Sequence, residues 1–299
     1  MKKYFTVLYV ICYSFILFAF DITGHYYGVV NPIVSDEFMF VSSVSDYRFE
    51  GNRYYLGMDV PKGSKAESEI PKKNLVEYGT FYNEEGVYSI LELENNIKVI
   101  TFQSDSDFTY KKRLGILYNE RRLFLYDNDI IFFEPGENYS WDGFMPEVVG
   151  VRCSSFLIEK NVKYDGTTYN RRVDGKLRPW VENLPGEGIG EWIELNIENG
   201  SEPFSTFIIS NGYISFSNPN LFNLNSRVKK MRIVSEQNKL DITIDLQDTT
   251  ELQSINLPVQ ISEEKSVFRF IILETYPGDK WSDTCLNLIL PIGRDPFTK

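Results

Sequence analysis

At 299 residues the chain is long enough for two ordinary domains with cores of their own, and its 22 Phe and 19 Tyr favour pleated, half-buried strands. A formal net charge of −11 repels phosphate backbones and argues against nucleic-acid binding. The single histidine, His25, argues against a histidine-based triad and a multi-histidine zinc site. Alanine is scarce and no long stretch keeps a helical period, so the expected class is all-β.

The chain begins Met1-Lys2-Lys3, followed by an apolar run over 4–20. A short basic start before such a run reads as a secretory signal. Residues 1–24 are therefore expected to be a signal segment, with a cut after Gly24 or, as the alternative, a retained anchor; Cys12 is read as an apolar residue of that segment rather than a lipid attachment site. Loss of Lys2 and Lys3 would take the formal charge to −11 − 2 = −13.

Residues 25–134 read as a β-meander closing into a small barrel or sandwich. Short β-prone runs at 38–42, 46–50, 53–57, 79–82, 87–93, 97–102 and 114–118 are bounded by polar turns. The clearest hairpin joins 123–126 to 130–133 through Asp127-Asn128-Asp129, residues that tolerate a left-handed turn. The charged stretch 62–73 reads as an exposed loop. Residues 135–147, opening on Pro135-Gly136 and carrying Trp141, read as a linker.

A second unit is expected over 148–292, before a tail at 293–299. Its readable strands are 151–158, 191–198, 206–209, 229–234, 240–246, 253–257, 268–272 and 286–290, enough for a jelly-roll sandwich. Gly186, Gly188 and Gly190 do not make a phosphate cradle, which needs a helix after the glycines. Here Ile193, Leu195 and Ile197 alternate with Glu194, Asn196 and Glu198, so a strand follows and the glycines form a rim loop. Two cysteines lie beyond the signal, Cys153 and Cys285. In an exported chain they are expected to form a disulfide between the first and last strands of this unit, with two buried thiols as the alternative.

Several motifs in this unit occur in a telling order: Ser154-Ser155 through Glu159, Trp180-Val181-Glu182 with 186–195, and Asn211-Gly212-Tyr213. Asn225 through Lys230 follows, then Leu246-Gln247-Asp248 with Gln253, and Tyr276-Pro277-Gly278 through Cys285. Together they resemble the discoidin-like domain first described beside bacterial NAD glycohydrolase toxins, the NADase-type translocation or glycan-binding domain. The resemblance implies a galactose-binding-like β-sandwich with a non-catalytic carbohydrate-binding or delivery role. It does not imply NAD hydrolysis. The family pattern has a Ser-Glu pair where this chain has Asn287 and Leu288, which weakens the case for a structural calcium; no other cofactor is expected. The first unit resembles lipocalin-like small barrels, through Tyr26-Tyr27-Gly28 and its many Tyr/Phe strands.

Sugar recognition pairs an aromatic face with fixed polar groups. The candidate glycan-binding residues are Trp281 between Lys280 and Asp283, Asn211 with Tyr213, and Glu182 beside Trp180. Each has a plainer reading: Tyr213 as a corner residue, Lys280 with Asp283 as a local ion pair, and Trp180, Trp192 and Arg227 as structural groups. No Gly-x-Ser-x-Gly elbow occurs, and no catalytic residue is assigned. The sequence is thus read as an exported, non-enzymatic, glycan-binding protein of the periplasm, cell surface or medium. The alternatives are an envelope adaptor that docks another protein, a carboxylate-based glycosidase, and an apolar-ligand carrier with a hollow first barrel.

Overall fold

The computed structural model describes residues 22, 24–29, 44–59, 80–106, 109, 111–119, 122–126, 130–133, 146–169, 178–199 and 203–292. The strand expected at 38–42, the loop 62–73, the linker up to 145 with Trp141, the tail and nearly all of the signal segment lie outside the described residues.

Eight strands form a closed antiparallel barrel: β1 (Gly24–Val29), β2 (Val44–Glu50), β3 (Arg53–Asp59), β4 (Thr80–Glu92), β5 (Lys98–Ser104), β6 (Lys111–Asn119), β7 (Arg122–Tyr126) and β8 (Ile130–Phe133). Each pairs with the next, and β8 returns to β1 through Tyr27↔Phe133 and Gly28↔Phe132. The runs expected as separate strands at 79–82 and 87–93 are one strand, β4. The polar stretch between them holds a bulge where Leu56 pairs Glu84 and Gly57 pairs Tyr82, so a local change of register replaces the expected turn.

Alternation on β5 and β6 splits the barrel wall into two faces. Ile100, Phe102, Leu114 and Ile116 cluster with Phe49, Tyr54 and Leu123. Phe102 meets Tyr54 edge-on at 4.8 Å, and Phe49 meets Tyr88 at 5.1 Å, so aromatic rings fill the space enclosed by these residues. In the opposite phase, Ile97 and Leu117 belong to the core of the second unit. Gly115 sits beneath the Phe216 ring, where a Cβ would come within 2.2 Å of it.

The second unit comprises β9 (Glu147–Cys153), β10 (Ile158–Glu159), β11 (Val162–Lys163), β12 (Trp180–Val181), β13 (Trp192–Glu198), β14 (Phe204–Asn211), a one-turn helix α1 (Leu221–Leu224), β15 (Ser226–Ser235), β16 (Leu240–Asp245), β17 (Gln253–Ile261), β18 (Lys265–Tyr276) and β19 (Thr284–Ile292). One sheet runs β16-β15-β18-β13-β9 and the other β12-β19-β14-β17. They join where Ser226 and Arg227 of β15 lie parallel to Thr284 and Cys285 of β19. Between the sheets, Phe207 of β14 packs on Phe268 and Phe270 of β18 at 5.1 and 5.2 Å. The fold is therefore all-β, with a two-sheet sandwich following the barrel.

On the outer face of the first sheet, Glu194 accepts hydrogen bonds from Arg152 and from Arg269, and Arg269 lies over the Trp192 ring at 4.3 Å. Burial works to raise the Glu194 carboxyl, but the bonds from Arg269 and Arg152 outweigh it and hold the group below the usual carboxylate range.

The expected disulfide is absent: Cys153 and Cys285 are both free thiols. Cys153 ends β9, opposite Ile193, and donates to the Asp165 carbonyl. Cys285 is wholly buried in β19, in the other sheet, and donates to the Asp283 carbonyl. The first and last strands thus have different hydrogen-bonding neighbours, and each thiol is turned to its own local carbonyl. Burial pushes the Cys153 thiol up to about 11, and burial likewise raises Cys285 above the ordinary thiol range, which disfavours the reactive thiolate at both.

Candidate functional site

Four connections crowd one end of the sandwich: 182–191, 212–225, 246–252 and 277–283. The rim glycines behave as their spacing suggests. Gly186, Gly188 and Gly190 all have positive φ, at 108°, 66° and 91°, and β13 begins two residues later. Gly188 is required for space as well, because a Cβ there would lie 2.5 Å from Cγ of Glu182.

Most residues of the family-like motifs are staples that hold these connections. Ser154 and Ser155 both donate to Oε2 of Glu191, at 2.6 and 2.5 Å. Trp180 is fully buried and donates its indole N–H to the Ser155 carbonyl. Gln253 exchanges two hydrogen bonds with the backbone of Gln247. Arg227 grips Asp248 through two parallel bonds of 2.8 Å and donates its third nitrogen to the carbonyls of Asn225, Pro277 and Asn223. One guanidinium therefore ties together three connections and the start of β15.

The candidate sugar-binding residues separate into two groups. Asn211 is fully buried; its amide donates to Val228 O and accepts from the backbone N–H of Val228 and Gly212. Glu182 is also fully buried, accepting from the backbone N–H of Leu184 at 2.8 Å and of Thr284 at 3.0 Å. These two side chains are occupied by the fold and are sealed from a sugar. Tyr213 is half-buried against Tyr164, and burial and that neighbour raise its phenol. The exposed group lies on 277–283. Lys280 is exposed, with its Nζ 4.4 Å from the Trp281 ring centroid, and Trp281 is 36% exposed. Asp283 is partly buried, which raises its carboxyl. No Lys280–Asp283 ion pair occurs; Lys280 is a cation stacked on an indole.

The platform loop is anchored by backbone bonds. The N–H groups of Lys280 and Trp281 both donate to Leu224 O, Asp279 N donates to Asn223 O, and Gly278 N donates to Ser226 Oγ. Sequence reasoning missed Leu184 and Ile189, 48% and 58% exposed on the neighbouring rim loop. The available signal was two aliphatic residues in a loop otherwise made of Pro, Gly, Glu and one Asn. Among the described residues no group of acidic, His or Cys side chains is arranged to hold a metal ion.

Glu182 supplies a pH test. Burial pushes its carboxyl up more strongly than the Leu184 and Thr284 amides pull it down. For an acid raised on folding, its stabilisation is fullest below the unfolded value of about 4.3 and is lost as pH rises through the folded value. Thermal melts of Glu182→Gln between about pH 3 and 8 should show the variant's deficit greatest at the acid end and shrinking as pH rises. A deficit of the same size throughout would mean that Glu182 titrates alike in both states.

The geometry defines a class: a two-sheet sandwich whose loop end is built from buried polar staples and presents one aromatic platform. Residues 145–290 match the family described as the NAD glycohydrolase translocation F5/8 type C domain, so the sandwich is a discoidin-like domain of that kind. No curated protein matches the chain. Among solved structures, a chain holding CBM51-2, in complex with GlcNAc, and INT domains from Clostridium perfringens ZmpB is similar at 10% identity. The likeness covers 78% of this chain and 44% of that one, with a TM-score of 0.20; the protein spans less than half the length of that structure. No helix among the described residues is long and apolar enough to cross a membrane.

Proposed function

We propose that the protein is exported and binds glycans, without catalysis, through the loop end of its sandwich. The observation that carries this reading is the exposed Trp281 ring, stacked with Lys280 on a loop fastened by four backbone N–H bonds. An indole on an anchored loop offers the apolar face of a sugar ring a surface at little entropic cost, with Lys280 against it and Asp283 two residues further along the same loop for hydroxyl or charged substituents. The family match supports a carbohydrate-binding or translocation role. The basic, apolar N-terminal run supports export to the periplasm, cell surface or medium.

A glycan array probed with the full chain should give a defined set of hits. Trp281→Ala should weaken each by about tenfold or more while leaving the melting temperature nearly unchanged, because the loop anchors are backbone groups. Hits that persist in the variant would place recognition elsewhere. An array with no hits would favour a second reading, an adaptor that docks an envelope protein, which draws on the exposed Leu184 and Ile189 beside the platform.

A further inference from the structure

One residue of the barrel makes three hydrogen bonds to the sandwich. Asn95 sits in the turn between β4 and β5 with φ +59°, a left-handed conformation that Asn tolerates. Its amide N–H donates to Pro219 O at 3.0 Å, its amide oxygen accepts from Nδ2 of Asn223 at 2.7 Å, and its backbone carbonyl accepts from the Thr250 hydroxyl at 2.9 Å. Asn223 lies on α1, and the next contact outward from α1 is the platform loop: Asn223 O accepts from Asp279, and Leu224 O accepts from Lys280 and Trp281. The loop presses so close to the end of this helix that a Cβ on Gly278 would lie 2.5 Å from the Asn225 carbonyl carbon. A helix of one turn has little stability of its own, so its placement depends on what holds it.

We infer that Asn95 is a positioning residue for the 277–283 loop, and that the barrel thereby belongs to the recognition apparatus of the sandwich. The barrel turn fixes α1 through Pro219 and Asn223, and α1 fixes the backbone beneath Lys280 and Trp281. The consequence for a ligand rests on the loop-end reading proposed above; the order of the loop does not.

Amide hydrogen exchange on the full chain tests this without any ligand. Asn95→Gly keeps the turn conformation and the carbonyl facing Thr250 but removes both side-chain bonds. The amides of Asp279, Lys280 and Trp281 should then exchange about tenfold faster, the equivalent of about one lost hydrogen bond transmitted to the loop, while those of β13 and β18 keep their protection. Asn95→Asp retains the acceptor for Asn223 and should restore protection at 279–281. Unchanged exchange at these three amides in Asn95→Gly would overturn the inference. So would a uniform rise across the sandwich, or loss of protection in Asn95→Asp equal to that in Asn95→Gly. If the exchange pattern holds but the array stays blank, the positioning role stands and the glycan reading falls.

Discussion

Arg227→Met is expected to lower the unfolding free energy by about 3 kcal/mol, because it removes a buried, fully hydrogen-bonded charge from several partners at once. The Arg227 side chain is 8% exposed, and its guanidinium also lies over the Phe222 ring at 5.2 Å. Truncation leaves the carbonyls of Asn225, Pro277 and Asn223 without this donor, and Asp248 without its paired cation. Arg227→Lys should lose most of the same stability, since an ammonium cannot reproduce the two parallel bonds and reach the carbonyls together. Asp248→Asn should cost less, about 1 kcal/mol, because that side chain is 37% exposed and solvent screens the pair. Urea unfolding of the three variants checks the order. Arg227→Met within about 0.5 kcal/mol of the parent would show that the connections hold themselves.

The second large effect belongs to the core. Phe207→Ala should cost about 3–5 kcal/mol, the usual range for emptying a buried aromatic site. Phe207 has no exposed surface and meets three other rings, Phe204, Phe268 and Phe270, at 5.5, 5.1 and 5.2 Å. It lies between the two sheets, packed on rings of the facing strand, so the cavity cannot close without the sheets shifting. Phe207→Leu, which refills most of the volume, should cost under about 1.5 kcal/mol. The ratio of the two urea midpoints separates loss of volume from loss of ring geometry; equal shifts would point to the edge-on aromatic contacts as the larger contribution.

The long strands were legible because their alternation follows from a fixed backbone period. Trp192 to Glu198 alternates along the sequence and forms β13, and Leu240 to Asp245 does the same as β16. The missed or altered elements are those whose signal is not local. β1, Gly-His-Tyr-Tyr-Gly-Val, has two glycines and no clear alternation to announce it; it is held as a strand by β2 on one side and β8 on the other. Expected strand 151–158 stops at Cys153, because Ser154 N turns to the Trp192 carbonyl and the Ser154 and Ser155 hydroxyls turn to Glu191. No periodicity encodes a partner that lies more than thirty residues away.

The same division holds for the loop end. Residue types alone grouped Trp281, Lys280, Asp283, Asn211, Tyr213 and Glu182 by their capacity to bind a sugar. Burial separates them: Asn211 and Glu182 hydrogen-bond the backbone inside, while Lys280 and Trp281 remain at the surface. By itself the sequence determined the all-β class, the rim loop at Gly186 to Gly190 and the order of motifs in the sandwich, since each of these follows from backbone period, glycine conformation or spacing along the chain. Only the tertiary structure decided that the thiols stay apart, that Arg227 ties three connections together and that Asn95 reaches from the barrel to α1. Each of these depends on which distant groups folding brings within a hydrogen bond, and an amide or a carboxylate has the same formula whether it meets a ligand or its own backbone.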